Sequence, residues 1–215
     1  MSGLQIESLV VELGKFRLEI PSFTSNPGEV VSWRGPSGSG KSTLLNAVAG
    51  FLPLTSGSIT LEGRRIDSLP PEKRRIALVF QRAALFPHLD VRENVEFGLR
   101  LQGIAAVERA SRALEWLERF EIRELAARRP GEISEGQAQR VALARALAPG
   151  FSTLLLDEPF SALDPDLRVR LREIVREITH EKKLVTWMVT HHAEDAEAIS
   201  DSIIFLESGR ARVGK

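Results

Sequence analysis

Gly35-Pro36-Ser37-Gly38-Ser39-Gly40-Lys41-Ser42 decides how this 215-residue chain folds. Ahead of it, Glu29 to Arg34 predicts a buried strand. Behind it, Ser42 to Ala49 predicts a helix, with Gly50 placed to end that helix in the left-handed conformation. A glycine-rich turn between strand and helix lets backbone N–H groups turn inward and approach phosphate oxygens closely. The helix start adds its positive dipole end at the same point. In that geometry Lys41 reaches the β- and γ-phosphates of a nucleotide and Ser42 binds Mg²⁺. The spacing by itself says no more than nucleotide-phosphate binding.

Further along, Leu154-Leu155-Leu156-Asp157-Glu158-Pro159 is an apolar strand ending in two carboxylates. Asp157, just past the buried run, suits Mg²⁺ held directly or through water. Glu158 lies one step beyond, where a carboxylate can orient and deprotonate an attacking water, a role worth roughly 10²–10⁴-fold in rate. Two helix-capping acids in a loop would look the same in isolation; the phosphate loop upstream favours the metal-and-water reading.

Around these two stretches, strands alternate with helices. Residues 4–12 and 15–20 predict two strands joined at Leu13-Gly14-Lys15, and Asn26-Pro27-Gly28 is a turn. Residues 58–66 predict one strand and Ile76 to Phe80 a short buried one. From Val91 to about Arg129 the pattern is helical, with Val107, Ala110, Leu114 and Leu117 on one face. Ser134 starts another helix, Thr153 to Leu156 is a strand and Leu167 to about Lys182 an amphipathic helix. Strands at Leu184 to Val189 and Ser202 to Leu206 flank a helix over Ala193 to Ile199. The expected class is α/β, with a mostly parallel core sheet covered on both faces, an antiparallel β subdomain and an inserted helical subdomain. Within one domain over 1–215, the antiparallel parts fall at about 1–33 and 57–68. The core falls at about 34–56, 69–82 and 150–215, and the helical insertion at about 83–149.

Composition narrows the function. Lys plus Arg equals Asp plus Glu at 29 each, a balance that argues against a nucleic-acid partner, whose phosphates need a basic surface. No cysteine is present, so thiol chemistry and disulfides are excluded. No secretory segment is evident, and no stretch approaches the roughly 18–20 apolar residues that cross a bilayer. A role at a membrane therefore has to come through a partner.

Further motifs, in order, resemble those of the ABC ATPase family. Phe80-Gln81 ends a short strand as the family's Q-loop does. Ile133-Ser134-Glu135-Gly136-Gln137 resembles the LSGGQ signature, and Ala138 to Ala146 continues the match. Ser161-Ala162-Leu163-Asp164 looks like the D-loop, and Val189-Thr190-His191 like the strand ending in the switch histidine. The resemblance covers essentially the whole chain and implies a P-loop NTPase fold with ATP and Mg²⁺ as ligands. It implies that Gly35, Pro36, Ser37, Gly38, Ser39, Gly40, Lys41, Ser42 and Thr43 hold the nucleotide, with Ser42, Gln81 and Asp157 on the metal. Glu158, His191 and Gln81 would be the hydrolysis residues. The family stacks adenine on an aromatic residue, for which Phe16 is the candidate here, packing within its own sheet being the equal rival.

From the residues alone, Ser134 with Gln137 is a capping box at a helix start. In the family that start faces the γ-phosphate bound by the opposite protomer, so Ser134, Gly136, Gln137 and Asp164 are expected across a head-to-tail homodimer in the ATP-bound state. This chain departs from the pattern at Glu135, in place of the first signature glycine. A carboxylate there is tolerable if it points outward, where it suits the helix dipole. His192 stands where the family more often has Asp, and no role is assigned to it.

Leu85 to Val95 resembles the segment after the Q-loop in binding-protein-dependent importers, although Leu85-Phe86-Pro87 could also be internal packing. The resemblance implies the ATP-hydrolysing motor of an ABC transporter, an importer, peripheral at the cytoplasmic face of the cell membrane. Its partners would be integral membrane permease subunits and, through them, a substrate-binding protein. A soluble ABC ATPase without a transport role and an exporter ATPase are the alternatives. The chain stops soon after Gly209, so the C-terminal regulatory domain carried by many such ATPases is not expected.

Overall fold

A computed structural model describes residues 3–213, which form two compact units. The first comprises residues 3–78, 152–158 and 176–213; the second comprises Val79–Phe151 and Pro159–Val175.

The first unit is built on an eleven-stranded sheet. Its strands are β1 (Leu4–Leu13), β2 (Phe16–Ile20), β3 (Phe23–Ser25), β4 (Val30–Arg34), β5 (Ser56–Leu61), β6 (Arg64–Arg65), β7 (Ile76–Val79), β8 (Thr153–Asp157), β9 (Val185–Thr190), β10 (Ser202–Glu207) and β11 (Arg210–Val213). The order is β6-β5-β1-β2-β11-β10-β4-β9-β8-β7, with β3 also paired to β1. Strands β10, β4, β9 and β8 run parallel, whereas β1, β2, β3, β5 and β6 pair antiparallel. The two parts are continuous through β11, which is antiparallel to β10 and parallel to β2. Every residue of β9 is buried, as expected of a strand covered on both faces. At the centre Trp33 and Trp187 lie 5.0 Å apart between ring centroids, with Phe23 against both. The Trp187 indole donates to Ser25 Oγ at 2.6 Å, so its buried N–H is satisfied.

Helix α1 (Lys41–Ala49) packs on β8 and ends at Gly50, whose φ of 93° is the left-handed cap. Its last carbonyls are also held by a buried guanidinium. Arg74 donates to Ala47 O at 2.8 Å and Val48 O at 2.9 Å, and to Leu69 O and Asp67 O at 2.8 and 2.7 Å. A Cβ on Gly50 would lie 2.6 Å from Arg74 Nε, so glycine is needed there for space as well as conformation. Helix α6 (Ala193–Ile199) packs on β4 and β9.

In the second unit α2 (Val91–Leu101), α3 (Ala106–Arg119) and α4 (Glu135–Leu147) pack on one another. Helix α5 (Pro165–Lys182) begins in this unit and ends in the first. Buried Asn94 accepts the Phe86 N–H at 2.8 Å and donates to Phe86 O at 3.2 Å and Leu89 O at 3.3 Å, fixing the turn before α2. From α4, Arg145 donates to Ala84 O and Ala83 O at 3.0 and 3.1 Å and lies over the Phe86 ring. Gln139 donates to Phe80 O at 3.5 Å.

Three local expectations change. The helical stretch from Val91 is not continuous: α2 ends before Gly103 and α3 before Phe120. Val107 is 87% exposed in the first turn of α3, and the buried face is Ala113 and Leu117, continued by Phe120. Residues 58–66 are a hairpin of β5 and β6 bent at Glu62-Gly63, both with positive φ.

Replacing Arg74 with Met would leave four carbonyl acceptors around an apolar chain. At 1–3 kcal/mol per unsatisfied group, with partial rehydration, R74M should cost about 3 kcal/mol. The check is a lower urea midpoint at unchanged slope.

Candidate functional site

Parallel strands β4, β9 and β8 are neighbours, and their carboxyl ends carry the phosphate loop, His191 and the Asp157-Glu158 pair respectively. Register sets Arg34 level with Thr190 and Asp157 level with Val189, so the three ends open side by side. Ligands of open α/β sheets bind outside such ends.

The loop of Gly35 to Gly40 is shaped by close backbone approach. A Cβ on Gly35 would fall 1.9 Å from Leu206 O, so no side chain fits there without moving β10. A Cβ on Gly40 would meet the Phe16 ring at 2.7 Å. Gly209 N donates to Ser39 O at 3.0 Å, tying the loop to the β10–β11 turn. Lys41 is buried, and its Nζ donates to Gly35 O at 2.8 Å and Pro36 O at 2.9 Å. Burial pulls its pKa below the ordinary lysine value, against the carboxylates of Glu158 and Asp157, which raise it. The Ser39 hydroxyl is buried with no hydrogen-bond partner. An orphaned hydroxyl and an ammonium held by backbone carbonyls alone both suit an incoming phosphate, which would satisfy the first and strengthen the bonds of the second.

Asp157 is raised above the ordinary carboxylate value, chiefly by burial and also by the Glu158 charge, while the nearby Ser42 hydroxyl and Lys41 ammonium act the other way. A hydroxyl and a carboxylate are hard oxygen donors of the kind Mg²⁺ takes. Thr43, next on α1, is half-buried.

Glu158 is buried with φ 50°, a left-handed conformation uncommon for residues other than glycine. Its own N–H donates to Val189 O at 2.9 Å. The carboxylate is fixed from the end of β9: Oε1 accepts the His191 N–H at 3.0 Å and lies 2.7 Å from His191 Nδ1, while Oε2 accepts from Thr190 Oγ1 at 3.2 Å. Bonding through Nδ1 leaves His191 Nε2 available, and the His191 side chain is 55% exposed.

Phe16 is half-buried and packs on the core of the first unit. Together with Gly38, Lys15, Arg17, Ser208 and Arg210 it also lines an open cavity of about 730 Å³ beside the phosphate loop. Packing and a free ring face coexist.

In the second unit, Ser134 and Gln137 form the expected capping box. Ser134 Oγ accepts the Gln137 N–H at 3.2 Å and Gln137 Oε1 accepts the Ser134 N–H at 2.8 Å. Because Ser134 Oγ accepts there, its hydroxyl hydrogen stays available to donate. Glu135 is exposed in the first turn of α4. A Cβ on Gly136 would touch the Leu163 side chain at 3.3 Å. Exposed Asp164 accepts the Leu167 N–H at 2.9 Å and caps α5, and Gln81 is exposed just after β7. Thr190, Arg74 and Arg145 were not singled out from sequence. A hydroxyl preceding His191 at a buried strand end was a usable signal for Thr190; Arg74 on Ala47 and Val48 and Arg145 on Ala83 and Ala84 act over long sequence separations and gave none.

A glycine-rich loop between strand and helix, a buried lysine at the helix start and carboxylates at a neighbouring strand end define a P-loop NTPase fold. Comparison with known proteins narrows this: the family described as ABC transporter matches residues 18–161, and the chain belongs to that family. The spermidine/putrescine import ATP-binding protein PotA of Roseobacter denitrificans is 42% identical over 209 residues, 97% of this chain and 58% of that protein. PotA of Frankia alni is 48% identical over 184 residues, 86% of this chain and 40% of that protein. The probable sulfate/thiosulfate import ATP-binding protein CysA of Chlorella vulgaris is 43% identical over 209 residues, 97% and 89% of the two chains. The chain thus spans about half the length of the two PotA relatives, 58% and 40%. Among solved structures, the dimeric post-hydrolysis state of the ATP-binding cassette MJ0796 bound to ADP and Pi superposes with a TM-score of 0.88 at 31% identity, covering 98% of both chains. No helix among the described residues is long and apolar enough to cross a membrane.

Burial raises Asp157 above its unfolded value, so its ionised form opposes folding: the stability it takes away is absent below the unfolded pKa and grows as pH rises through the folded one. Without nucleotide, D157N should therefore unfold at a temperature equal to or above that of the natural chain. The rise in unfolding temperature on adding MgATP should be lost. A lower unfolding temperature for D157N alone would contradict this account.

Proposed function

We propose that this chain is the ATP-binding and hydrolysing motor subunit of an ABC transporter of the import type. The observation that carries the reading is Glu158, buried and aimed by Thr190 and His191, close to Lys41 and Asp157. A solvated surface acid would not be buried with both carboxylate oxygens held by groups of Thr190 and His191. The import direction is supported by the relatives, which are named as import ATP-binding proteins for spermidine/putrescine and sulfate/thiosulfate.

In this reading Gly35 to Gly40 cradle the phosphates, with Pro36, Ser37, Gly38 and Ser39 offering backbone and hydroxyl donors, and Thr43 extends the set. Lys41 exchanges the Gly35 and Pro36 carbonyls for phosphate oxygens. Phe16 presents its ring to adenine at the cavity mouth. Ser42, Asp157 and Gln81 would hold Mg²⁺, which would supply neutralisation of the charge on the phosphates. Glu158 takes a proton from the attacking water, and His191, carrying a proton on each ring nitrogen in this role, donates from Nε2 toward the γ-phosphate. From a second copy, Ser134 donates its free hydroxyl hydrogen, with Gly136 and Gln137 beside it and Asp164 across the interface. ATP therefore favours the closed pair because each site is complete only there. The partners are a second copy, integral membrane permease subunits at the cytoplasmic face of the membrane and, through them, a substrate-binding protein. The 1–215 chain acts as one ATPase domain with the helical insertion over about 83–149. Balanced charge, with 29 basic and 29 acidic residues, supports the absence of a nucleic-acid partner.

E158Q should lower ATP turnover by about 10²–10⁴-fold while keeping nucleotide binding. By light scattering its mass should double on adding MgATP. A variant that binds ATP and stays monomeric would remove the two-site clamp from the isolated chain. E135G should change turnover by less than about tenfold, roughly 1.4 kcal/mol; a larger gain would mean that the carboxylate faces the phosphate.

A further inference from the structure

His192 takes no part in the hydrolysis just proposed, yet it stands against the two groups that do. Its ring centroid is 4.0 Å from that of His191, the planes inclined by 39°. One ligand atom each from Glu158, His191 and His192 all lie within 4.8 Å of one another. We propose that these three side chains form a binding site for an imidazole-preferring divalent cation of the Zn²⁺ class, distinct from the oxygen site of Ser42 and Asp157, and that its occupation arrests ATP hydrolysis.

The donor set decides the class of ion. Mg²⁺ takes oxygen ligands in near-ideal octahedral geometry, and imidazole suits it poorly. Two imidazoles and a carboxylate with an open fourth position are a donor set that Zn²⁺ adopts, with bonds of about 2.0–2.2 Å. Tetrahedral bonds of that length put ligand atoms roughly 3.3–3.5 Å apart. The contact of 2.7 Å between Glu158 Oε1 and His191 Nδ1 would open slightly, and the wider separations, none above 4.8 Å, would close. His191 and His192 are exposed or half-exposed, so their rings can make these small moves, whereas the carboxylate is buried.

The backbone under the three ligands is already ordered. The Thr190 hydroxyl accepts the His192 N–H at 3.1 Å and donates to Glu158 Oε2 at 3.2 Å, so one group orients both the carboxylate and the second histidine. The His191 N–H on Oε1 at 3.0 Å adds a further support. Partners of this kind commonly orient metal ligands. A bound cation would engage the Glu158 lone pair that otherwise accepts the proton of water. It would also hold His191 to the metal.

The effect on turnover rests on the hydrolysis roles given to Glu158 and His191, but binding rests on geometry alone, so the two are measured separately. Co²⁺ serves as the spectroscopic probe on the intact chain, with Mg²⁺ in excess and no nucleotide. The absorption of four-coordinate Co²⁺ should appear with one equivalent bound, and Zn²⁺ should displace it. H192Q and E158Q should each weaken Co²⁺ and Zn²⁺ by at least about tenfold, the smaller loss expected even for an outer partner. Far-UV circular dichroism checks that both variants fold. Zn²⁺ should inhibit MgATP turnover of the natural chain at the concentration at which it displaces Co²⁺. H192Q should need about tenfold more, judged against its own zinc-free rate. Equal Co²⁺ affinity in the natural chain and in folded H192Q would overturn the site. Tight binding with unaffected turnover would overturn the arrest. A chain without any turnover would sink the ATPase assignment and leave the Co²⁺ titration to decide the site.

Discussion

The contact on which the first unit depends is that of Gly35 with the carbonyl of Leu206. The loop leaves β4 so close to β10 that an added carbon would sit 1.9 Å from that oxygen. This approach fixes where the chain turns, and hence where α1 starts and which way its first N–H groups face. The far end of α1 is fixed as firmly, by the left-handed Gly50 and the buried guanidinium of Arg74 on the carbonyls of Ala47 and Val48. A cation at the C-terminal end satisfies the negative pole of the helix dipole and leaves the positive pole at Lys41 for an anion. The helix is held at both ends, and its N-terminus is the end left to bind.

Much of this was legible because it depends on short-range chemistry. The loop spacing, the capping box of Ser134 with Gln137, the Gly50 cap and the apolar strands each reside within a few residues. What was not legible was settled across the sheet or between helices. Strand β11 is four residues with charged positions, and its identity comes from pairing with β10 and β2. Arg74 looks like any surface arginine in the run Lys73-Arg74-Arg75, but it is buried because four carbonyls converge on it. Val107 fits the apolar stripe by spacing, yet it falls in the first turn of α3, before the helix reaches its neighbours, so it lies in solvent. The clasp of Glu158 by Thr190 and His191 joins residues more than thirty positions apart, and no local pattern announces it.

The site holds groups the fold would be easier without. Lys41 and Asp157 are both shifted by burial against their charged forms, Ser39 keeps an unsatisfied hydroxyl, and Glu158 has a backbone conformation that favours glycine. Each cost is local, and the surrounding tryptophan core, fully paired β9 and doubly capped α1 can bear it. A phosphate and a cation would relieve the first three together, since each supplies the opposite charge or the missing partner. The Glu158 conformation is different in kind. Backbone geometry does not change when a charge is neutralised, so the carboxylate keeps its aim whether or not the other groups are satisfied.

Within the second unit, the segment that carries Gln81 and the helix that carries Ser134 are mechanically one piece. Gln139 grips the carbonyl of Phe80, Arg145 grips those of Ala83 and Ala84 and covers Phe86, and Asn94 closes the turn that follows. All three anchors are side chains on helices bonded to backbone carbonyls or N–H groups, or stacked on a ring. A displacement of the Phe80–Phe86 stretch that left α4 behind would have to break both hydrogen bonds of a partly buried guanidinium, a costly separation where burial already penalises the charge. If the outer surface of this stretch meets a membrane partner, motion imposed there passes to the start of α4 without a hinge between them. The Leu85-Phe86-Pro87 patch then serves both purposes that its sequence left open: its ring is internal packing, and that packing is what makes the outer face a rigid handle.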